Sequence, residues 1–413
     1  MRPRHDLTRR IMKRRLALAV DSVLSRADRL RVLTTAGPKL WRERSKVDAA
    51  TGRTKPEHIV ETHIGTTVWP AIQERLRNGS SPADVSKAFA KLTQEAGAAL
   101  ATELHRRAPA MHRERRSILR GLRRRMRAIW GPGFDAIYQV HVIAEEIGSD
   151  LQQLYGADDD YHVGALLGLH ARACLVLAEV HALMSQGFPL GAWARARSLH
   201  ETAVLACVIA EYGREPGTED LGERFLRHGV VEEARDVELA AVGGADIDQD
   251  YQDWLNDERA RLKDRYGPKF AKDYGWARPL FPDLSPKAGV TFSSLEQLAD
   301  CGLGRFDYRI GSHHVHSSAR TLALNEFERG GKIGRLTGPT NIEFIEPAQV
   351  ALNAMCISTQ SIIIGVPPIL EPVDAAGLAA MVAICDTAIE LLEEAQDLVD
   401  SREAKVQKRK RRS

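Results

Sequence analysis

The sequence predicts an all-α protein built as a multi-helix up-and-down bundle. Of the 413 residues, 44% are apolar and 27% are charged, which is typical of globular proteins and excludes disorder as the main state. Aromatic residues make up only 6%, whereas Ala, Leu, Arg and Glu, all good helix formers, dominate. Apolar residues recur at helical spacing along most of the chain. The length exceeds that of one ordinary domain, so we expect two.

Residues 1–130 are predicted to form a basic helical amino-terminal region. They hold thirty Lys and Arg against twelve Asp and Glu, a local net charge of +18, which leaves −15 for the remainder. Helices are expected over 7–34 and, broken at Asn78–Pro82, between 59 and 104. The charge asymmetry fits recruitment of a polyanion such as RNA, and it also fits docking of the basic region on the acidic remainder.

Residues 111–129, the arginine-rich segment, are predicted to form one helix. Arginines occupy nearly all of its faces, which suits a helix that lies against a polyanion better than one packed in a core. A solvated face or contact with the acidic part of the chain is the alternative. We expect Trp130–Gly133 to break the helix and to mark a domain boundary. The predicted RNA-binding side chains are those of Arg116, Arg120, Arg123, Arg124 and Arg127.

Residues 131–401 are predicted to form the bundle domain. Pro-rich residues 266–294 are expected to be an ordered loop, and residues 330–338 a Gly-rich turn. The basic tail, residues 402–413, is expected to be disordered. The predicted helices are 134–154, 161–186, 190–213, 219–241, 248–265, 295–302, 306–327, 343–364 and 374–400.

Cysteine usage and hydropathy predict a cytoplasmic protein. The five cysteines are far apart and form neither a CxxC pair nor a Cys/His zinc pattern, so they are interpreted as core residues in a reducing compartment. The basic start leads into an apolar run, Leu16–Val20, that stops at Asp21 without a cleavage signal, which argues against export. The two most apolar stretches, 163–183 and 351–370, carry polar residues, so no membrane span is expected.

The strongest candidate for chemistry is the histidine cluster, residues 308–316, with the sequence YRIGSHHVH. At about 100° per residue, Arg309, Ser312, His313 and His316 share one helical stripe. Imidazoles can exchange protons with a ribose hydroxyl and a leaving oxygen, and the arginine can bind phosphate, so this stripe suits cleavage of a phosphodiester. The alternatives are polar groups buried between helices and, more weakly, a metal site completed by acids from another helix.

A second constellation is Arg197, His200 and Glu201, which share a helix face in apolar surroundings. Charged groups in such surroundings need a partner because desolvation is costly. One interpretation is that they face the histidine cluster across the bundle. The other is a salt bridge within the helix that has only a structural role. No nucleotide-binding, dinucleotide-binding, zinc-protease or serine-hydrolase motif occurs, so neither a cofactor nor a metal is expected.

Residues 134–318, preceded by Trp130-Gly131, resemble an uncharacterised bacterial family, the domain of unknown function 5677. The resemblance rests on residues 197–201 (RSLHE), residues 223–228 (ERFLRH), Trp276, and Tyr308-Arg309 with Ser312 and His316. It implies a helical bundle without implying an activity.

The chain also resembles, more loosely, HEPN-type nucleases, helical bundles that dimerise and cut RNA without metal. Their signature is an arginine followed by a histidine after four to six residues. Arg309 with His314 and Arg309 with His316 both fit, and His316 is favoured because residues seven apart lie on one face. Ile310 departs from the polar residue usual after the arginine.

These features lead to two functional hypotheses. The first is a metal-independent endoribonuclease, a toxin or phage-defence effector, that acts as a homodimer. Arg309 would bind phosphate, His316 would be the general acid/base, His313 and Ser312 would assist, and Tyr308, Arg197, His200 and Glu201 would support the site. The second is a non-catalytic helical protein that uses the same face to bind a ligand or a regulatory partner.

Overall fold

The computed structural model describes residues 69–78, 81–156, 160–285, 287–300, 310–313, 315, 326–329, 332–368 and 371–410. Over these residues the fold is an all-α bundle with one short hairpin, which confirms the predicted fold class. The chain divides into two compact units, Met1–Leu119 and Arg120–Ser413, and the bundle belongs to the second.

The described helices largely follow the apolar periodicity of the sequence. The break predicted at Asn78–Pro82 separates the first two of them. The helices are α1 (Trp69–Arg77), α2 (Pro82–Tyr155), α3 (Tyr161–Ser185), α4 (Pro189–Tyr212), α5 (Leu221–Val242), α6 (Gln249–Tyr266), α7 (Phe292–Ala299), α8 (Ile345–Gly365) and α9 (Pro372–Lys410).

Helices α3, α4 and α8 pack on one another at the centre of the bundle. Each is apolar on most of its circumference, as expected for helices surrounded by others. Helix α5 packs on α3, α6 on α5, α7 on α4, and α9 on α8. The buried side chains form two clusters, one around Trp130, Leu177 and Phe344 and the other around Leu166, Ile209 and Trp276.

Local signals set the bounds of α3 and the connection to α4. The Asp160 carboxylate caps α3 by accepting hydrogen bonds from the backbone N–H groups of His162 and Val163. Gly187, in the three-residue connection, has φ of +86°, and a Cβ there would lie 2.8 Å from both Pro339 Cβ and Thr340 O. Only glycine fits this turn, because a side chain would be strained and would collide.

Helix α2 runs through Trp130–Gly133, so the predicted break at these residues is wrong. Packing explains the difference. Trp130 is fully buried with its ring edge against Phe344, at a centroid distance of 4.9 Å. Gly133 lets α2 approach α9 so closely that a Cβ would lie 2.6 Å from Leu392 Cδ2. These tertiary contacts hold the helix across a Pro and two Gly residues, and the predicted boundary at residue 130 falls inside it.

The predicted loop at 266–294 is ordered by two short 3₁₀ helices, Pro268–Ala271 and Gly275–Leu280. Helix α7 then starts at Phe292, three residues before the predicted start, because the Thr291 hydroxyl accepts from the Ser294 N–H as its cap. The loop therefore ends earlier than predicted.

The segment after α7 contains a β-hairpin that the sequence analysis missed. Strands β1 (Glu326–Arg329) and β2 (Lys332–Arg335) pair antiparallel, with Glu326 opposite Arg335. The predicted helix 306–327 is therefore wrong at its end, where Glu326 and Phe327 are in β1. The sequence between the strands is Gly330-Gly331, a pair that favours tight hairpins. The short strands have no long alternating pattern that would have revealed them.

Helix α9 extends to Lys410, so the prediction of a disordered tail is wrong for residues 402–410. No proline interrupts the helix after Pro372, and its last turns consist of Ala, Glu, Gln, Lys, Arg and Val. Most of these are good helix formers, and basic residues near the carboxyl end complement the helix dipole.

Three described helices are long and apolar enough to cross a membrane by length and composition: α3, α8 and residues 372–402 of α9. In the most apolar 18-residue stretches of α3 and α8, 61% and 67% of the residues are buried, because both helices lie at the centre of the bundle. In the corresponding stretch of α9, 22% of the residues are buried. The first two overlap the apolar stretches 163–183 and 351–370, whereas the third was not predicted from the sequence.

Candidate functional site

The structure describes only part of the predicted histidine cluster. Residues 310–313 form a helical turn, and Val315 is also helical. That Arg309 and His316, seven positions apart, share one helix face therefore stays a prediction. The positions outside the described residues are Tyr308, Arg309, His314 and His316.

The helical turn 310–313 lies directly against α4. Ile310 packs on the first core cluster, Gly311 is buried, and Ser312 and His313 are half-buried. A Cβ on Gly311 would lie 2.9 Å from Arg197 Cβ, closer than real Cβ contacts. The absence of a side chain at Gly311 is what allows the turn to rest on the Arg197 side chain.

Arg197 and Glu201 form a pair on α4 next to this turn. The Arg197 Nη2 donates to Glu201 Oε1 over 2.8 Å, and the two side chains are 17% and 30% exposed. The pair is thus partly shielded from water, where an ion pair is stronger than on the surface. Of the two interpretations of this constellation, the intrahelical salt bridge is present, and it also adjoins the part of the histidine cluster that the structure describes.

His200 points in another direction, toward α7. Its Nε2 lies 2.8 Å from Glu296 Oε1, with the two side chains 3% and 10% exposed, and Phe292 packs edge-on against the imidazole at a centroid distance of 5.9 Å. His200 therefore orders the α4–α7 contact, and the predicted common face of Arg197, His200 and Glu201 is divided between two neighbours.

Glu296 is a site residue that was not predicted, although the sequence carries a signal for it. It is the one charged residue of α7, and it stands four positions after Phe292 and three before Ala299, on the helix's apolar stripe. An acid at such a position calls for a buried partner, but the sequence does not say that the partner is a histidine 96 positions away.

A second polar cluster, on α2 and α3, was also missed. An open groove of about 1010 Å³ runs along these helices and is lined by His141, Glu145, His170 and Cys174. Burial lowers the pKa of His170 to about 4 and raises that of Cys174 to about 12, so both are neutral near pH 7. A neutral thiol is a poor nucleophile, so this groove does not form a cysteine-based catalytic site.

The arginines of the arginine-rich segment are exposed, whereas its Met126 is buried in the first core cluster. Arg116 donates to the backbone oxygen of His112, and Arg127 makes two hydrogen bonds to Asp135 at 2.6 and 2.8 Å. Of the carboxylates that the structure describes, none lies within ion-pair distance of the other predicted RNA-binding arginines, Arg120, Arg123 and Arg124. Their charge is available to a polyanion.

Among the described residues, no group of three or more His, Cys, Asp or Glu side chains could hold a metal ion. The chemistry that these residues offer is proton transfer by imidazole and carboxylate, and anion binding by guanidinium.

Comparison with known proteins gives one family match. Residues 163–332 match the model of a family of unknown function, DUF5677. The match covers α3 from its third residue, α4 to α7, the histidine cluster and most of the hairpin, and it begins after Trp130 and Gly131. No curated protein matches, and no solved structure matches. The candidate site of this chain thus lies in the segment, residues 163–332, that matches the DUF5677 family model.

Proposed function

We propose that this protein is a metal-independent endoribonuclease that works in the manner of HEPN nucleases. The observation that supports the proposal is the contact between Gly311 and Arg197, which sets the turn bearing Ser312 and His313 beside the Arg197–Glu201 pair. The matching family has no known function, so the proposal rests on this contact and on the spacing of Arg309 and His316.

The proposed reaction is attack of a ribose 2′-hydroxyl on the adjacent phosphorus. His316 takes the 2′-proton or returns one to the leaving 5′-oxygen, and His313 and Ser312 assist in this transfer. Arg309 binds the phosphate and stabilises the charge that grows on its oxygens. The products are a cyclic 2′,3′-phosphate and a free 5′-hydroxyl, and the P–O bond to the 5′-oxygen is the one broken.

Arg197 has a supporting role in this proposal. Glu201 fixes the Arg197 guanidinium in one orientation, and the turn 310–313 packs against the Arg197 side chain. Tyr308 supports the site from the start of the histidine cluster, and His200 from the contact of α4 with α7. Arg197, His200 and Glu201 sit on the central helix α4, and a regular helix is the kind of scaffold that holds a site accurately.

RNA is recruited, in the same proposal, by the exposed arginines of the arginine-rich segment. A homodimer brings two sites together, and the protein acts in the cytoplasm as a toxin or phage-defence effector. Sedimentation analysis tests the dimer, and flotation with lipid vesicles tests whether the apolar part of α9 binds a membrane instead.

The decisive experiment incubates the purified full chain with total RNA in the presence of EDTA. We expect cleavage without metal, and losses on the order of 10²- to 10⁴-fold for His316→Ala and a smaller loss for His313→Ala, as is usual when a general acid or base is removed. His105→Ala, which removes an exposed imidazole on α2 outside the arginine-rich segment, is the control and should leave cleavage unchanged.

Two outcomes contradict the nuclease proposal. One is the absence of cleavage; the other is cleavage that His316→Ala leaves intact. A substrate with a single 2′-deoxyribose separates the mechanisms further, because loss of the attacking hydroxyl should abolish cleavage at that position and leave its neighbours sensitive.

The second candidate function is a non-catalytic binding or regulatory protein. The observation that favours it is the pairing within the site: Glu201 balances the charge of Arg197, and Glu296 lies in contact with His200. Saturable binding of RNA without cleavage in the same experiment would select this candidate.

A further inference from the structure

A small basic pocket lies between α2 and α3. Its volume is about 290 Å³, and the side chains that give it chemical character are Arg123, Arg127, Tyr138, His181 and Ser185. All of them belong to the second compact unit. The volume is at the small end of the range of about 300–1,000 Å³ usual for small-molecule sites, so it suits one monomer unit of a larger ligand.

One arginine of the pocket is fixed in place. Asp135 accepts two hydrogen bonds from Arg127, at 2.6 and 2.8 Å, which is the bidentate geometry that orders a guanidinium. Gly131 contributes as well, because a Cβ there would lie 3.0 Å from Arg127 Cδ. The Arg127 side chain can therefore lie along the helix, toward Asp135.

The other arginine supplies the net positive charge. Arg123 is exposed, and none of the carboxylates that the structure describes is paired with it. With Arg127 balanced by Asp135, the charge of Arg123 gives the pocket a net positive charge. An anion in the pocket has one unpaired and one pre-ordered guanidinium among the lining side chains.

An exposed aromatic ring completes the pocket. Tyr138 is 55% exposed, and its ring has two imidazole neighbours, with centroids 6.2 Å away for His141 and 5.8 Å away for His181. Burial lowers the pKa of His181, so this imidazole is neutral near pH 7. The imidazoles hold the Tyr138 ring in place, which makes it a preformed stacking surface.

We propose that the basic pocket binds one nucleotide of a single-stranded nucleic acid, with a phosphate on Arg123 and Arg127 and the base stacked on Tyr138. Base-on-aromatic stacking beside backbone arginines is how single strands are bound without sequence preference. A duplex does not fit this description, because its bases are already stacked on each other. This inference rests on the proposed RNA substrate but does not require cleavage.

The test measures binding by fluorescence anisotropy with two labelled probes, an oligo-deoxyuridylate and an abasic oligomer of equal length. Neither has a 2′-hydroxyl, so neither can be cut by the proposed reaction, and a failure of the nuclease proposal does not affect the result. We expect Tyr138→Ala to weaken binding of the base-bearing probe about tenfold, the size typical of one stacked base. Binding of the abasic probe should barely change.

Arg123→Gln should weaken binding of both probes and lower the slope of log affinity against log salt by about 1. The matched control is Arg125→Gln, which removes the same charge from the same helix at a position that does not line the pocket. It should have a clearly smaller effect than Arg123→Gln.

The proposal is overturned if Tyr138→Ala affects both probes equally, or if Arg123→Gln and Arg125→Gln weaken binding to the same extent. The first result would make Tyr138 a bystander, and the second would reduce the pocket to general electrostatics. Tyr138→Leu, which keeps an apolar side chain at this exposed position, checks that the loss comes from stacking: it should match Tyr138→Ala.

Discussion

His200 and Glu296 form a buried pair, with 2.8 Å between Nε2 and Oε1, that ties the central helix α4 to the short helix α7. Helix α7 has only eight residues, too few to be stable alone, so its position depends on its contacts. His200 directly precedes Glu201 on α4. A change in the α4–α7 contact is therefore expected to reach the candidate site.

Glu296→Ala should destabilise the protein by roughly 1.5–3 kcal/mol, because it leaves a buried imidazole N–H without its acceptor. Glu296→Gln keeps an acceptor at the same position and should cost clearly less. Urea denaturation of both variants measures the difference. Equal losses for Ala and Gln would mean that shape, rather than the hydrogen bond, is what the site needs.

Gly311→Ala should damage the candidate site. The added Cβ would lie 2.9 Å from Arg197 Cβ, so the turn 310–313 has to move away from α4. We expect a loss of RNA cleavage together with little or no gain in stability, whereas Gly→Ala in an open helix normally stabilises by roughly 0.5–1 kcal/mol.

Gly168→Ala is the matched control for this prediction. Gly168 is an exposed helical glycine of α3, and a Cβ there meets no atom within 4 Å. The variant should raise the free energy of unfolding and keep full activity. If Gly311→Ala behaves in the same way, the close approach of the turn to Arg197 is irrelevant to function.

The bounds of α3, α4, α5 and α6 could be predicted within two residues because their signals are local. Asp160 and Asp248 cap helices by accepting backbone N–H groups two and three positions ahead, and such contacts are visible in sequence. The continuity of α2 at Trp130–Gly133 and the partner of Glu296 depend on residues far away in the chain. No local pattern encodes those contacts.

Pro132 and Gly133 offer a direct test of why α2 continues. Pro132 is exposed and removes a backbone donor, so Pro132→Ala should stabilise the protein, by up to about 3 kcal/mol. Gly133→Ala should destabilise it by roughly 1–3 kcal/mol, because the Cβ would overlap the buried Leu392 side chain. Urea midpoints measure both. A stabilising Gly133→Ala would contradict the proposed close approach of α2 to α9.

His170 should make the protein less stable in mild acid. Burial lowers the pKa of His170 to about 4 from the ordinary 6.5. Between these pH values the imidazole is protonated in the unfolded chain but neutral in the folded chain. Stability is therefore full above pH 6.5 and falls as the pH drops toward 4, by roughly 2 kcal/mol between about pH 7 and pH 5.

His170→Gln lacks the titrating imidazole and should lose that share of the pH dependence, whereas His112→Gln, at an exposed position, should keep it. Urea unfolding at the two pH values measures each variant. The assignment fails if His170→Gln loses as much stability in acid as the unmodified protein does.

Cys356 and Cys385 should form a disulfide under mild oxidation. Their Sγ atoms, on α8 and α9, lie 3.4 Å apart, and both are free thiols. With Cys385 as donor, the hydrogen bond lowers the pKa of Cys356 and raises that of Cys385, which favours Cys356 as the thiolate. Diamide accepts two electrons and two protons as the sulfurs close to about 2.05 Å.

The expected product has lost two hydrogen atoms, and its α8 and α9 peptides stay linked until a reductant is added, as mass spectrometry after proteolysis can show. Closing a loop of 29 positions should stabilise the bundle by roughly 3 kcal/mol, or less where the helices must shift to reach bonding distance. Cys385→Ser should abolish the link, and Cys207→Ser, which removes a buried thiol elsewhere, should not. Linkage of Cys356 to any other cysteine would refute the assignment.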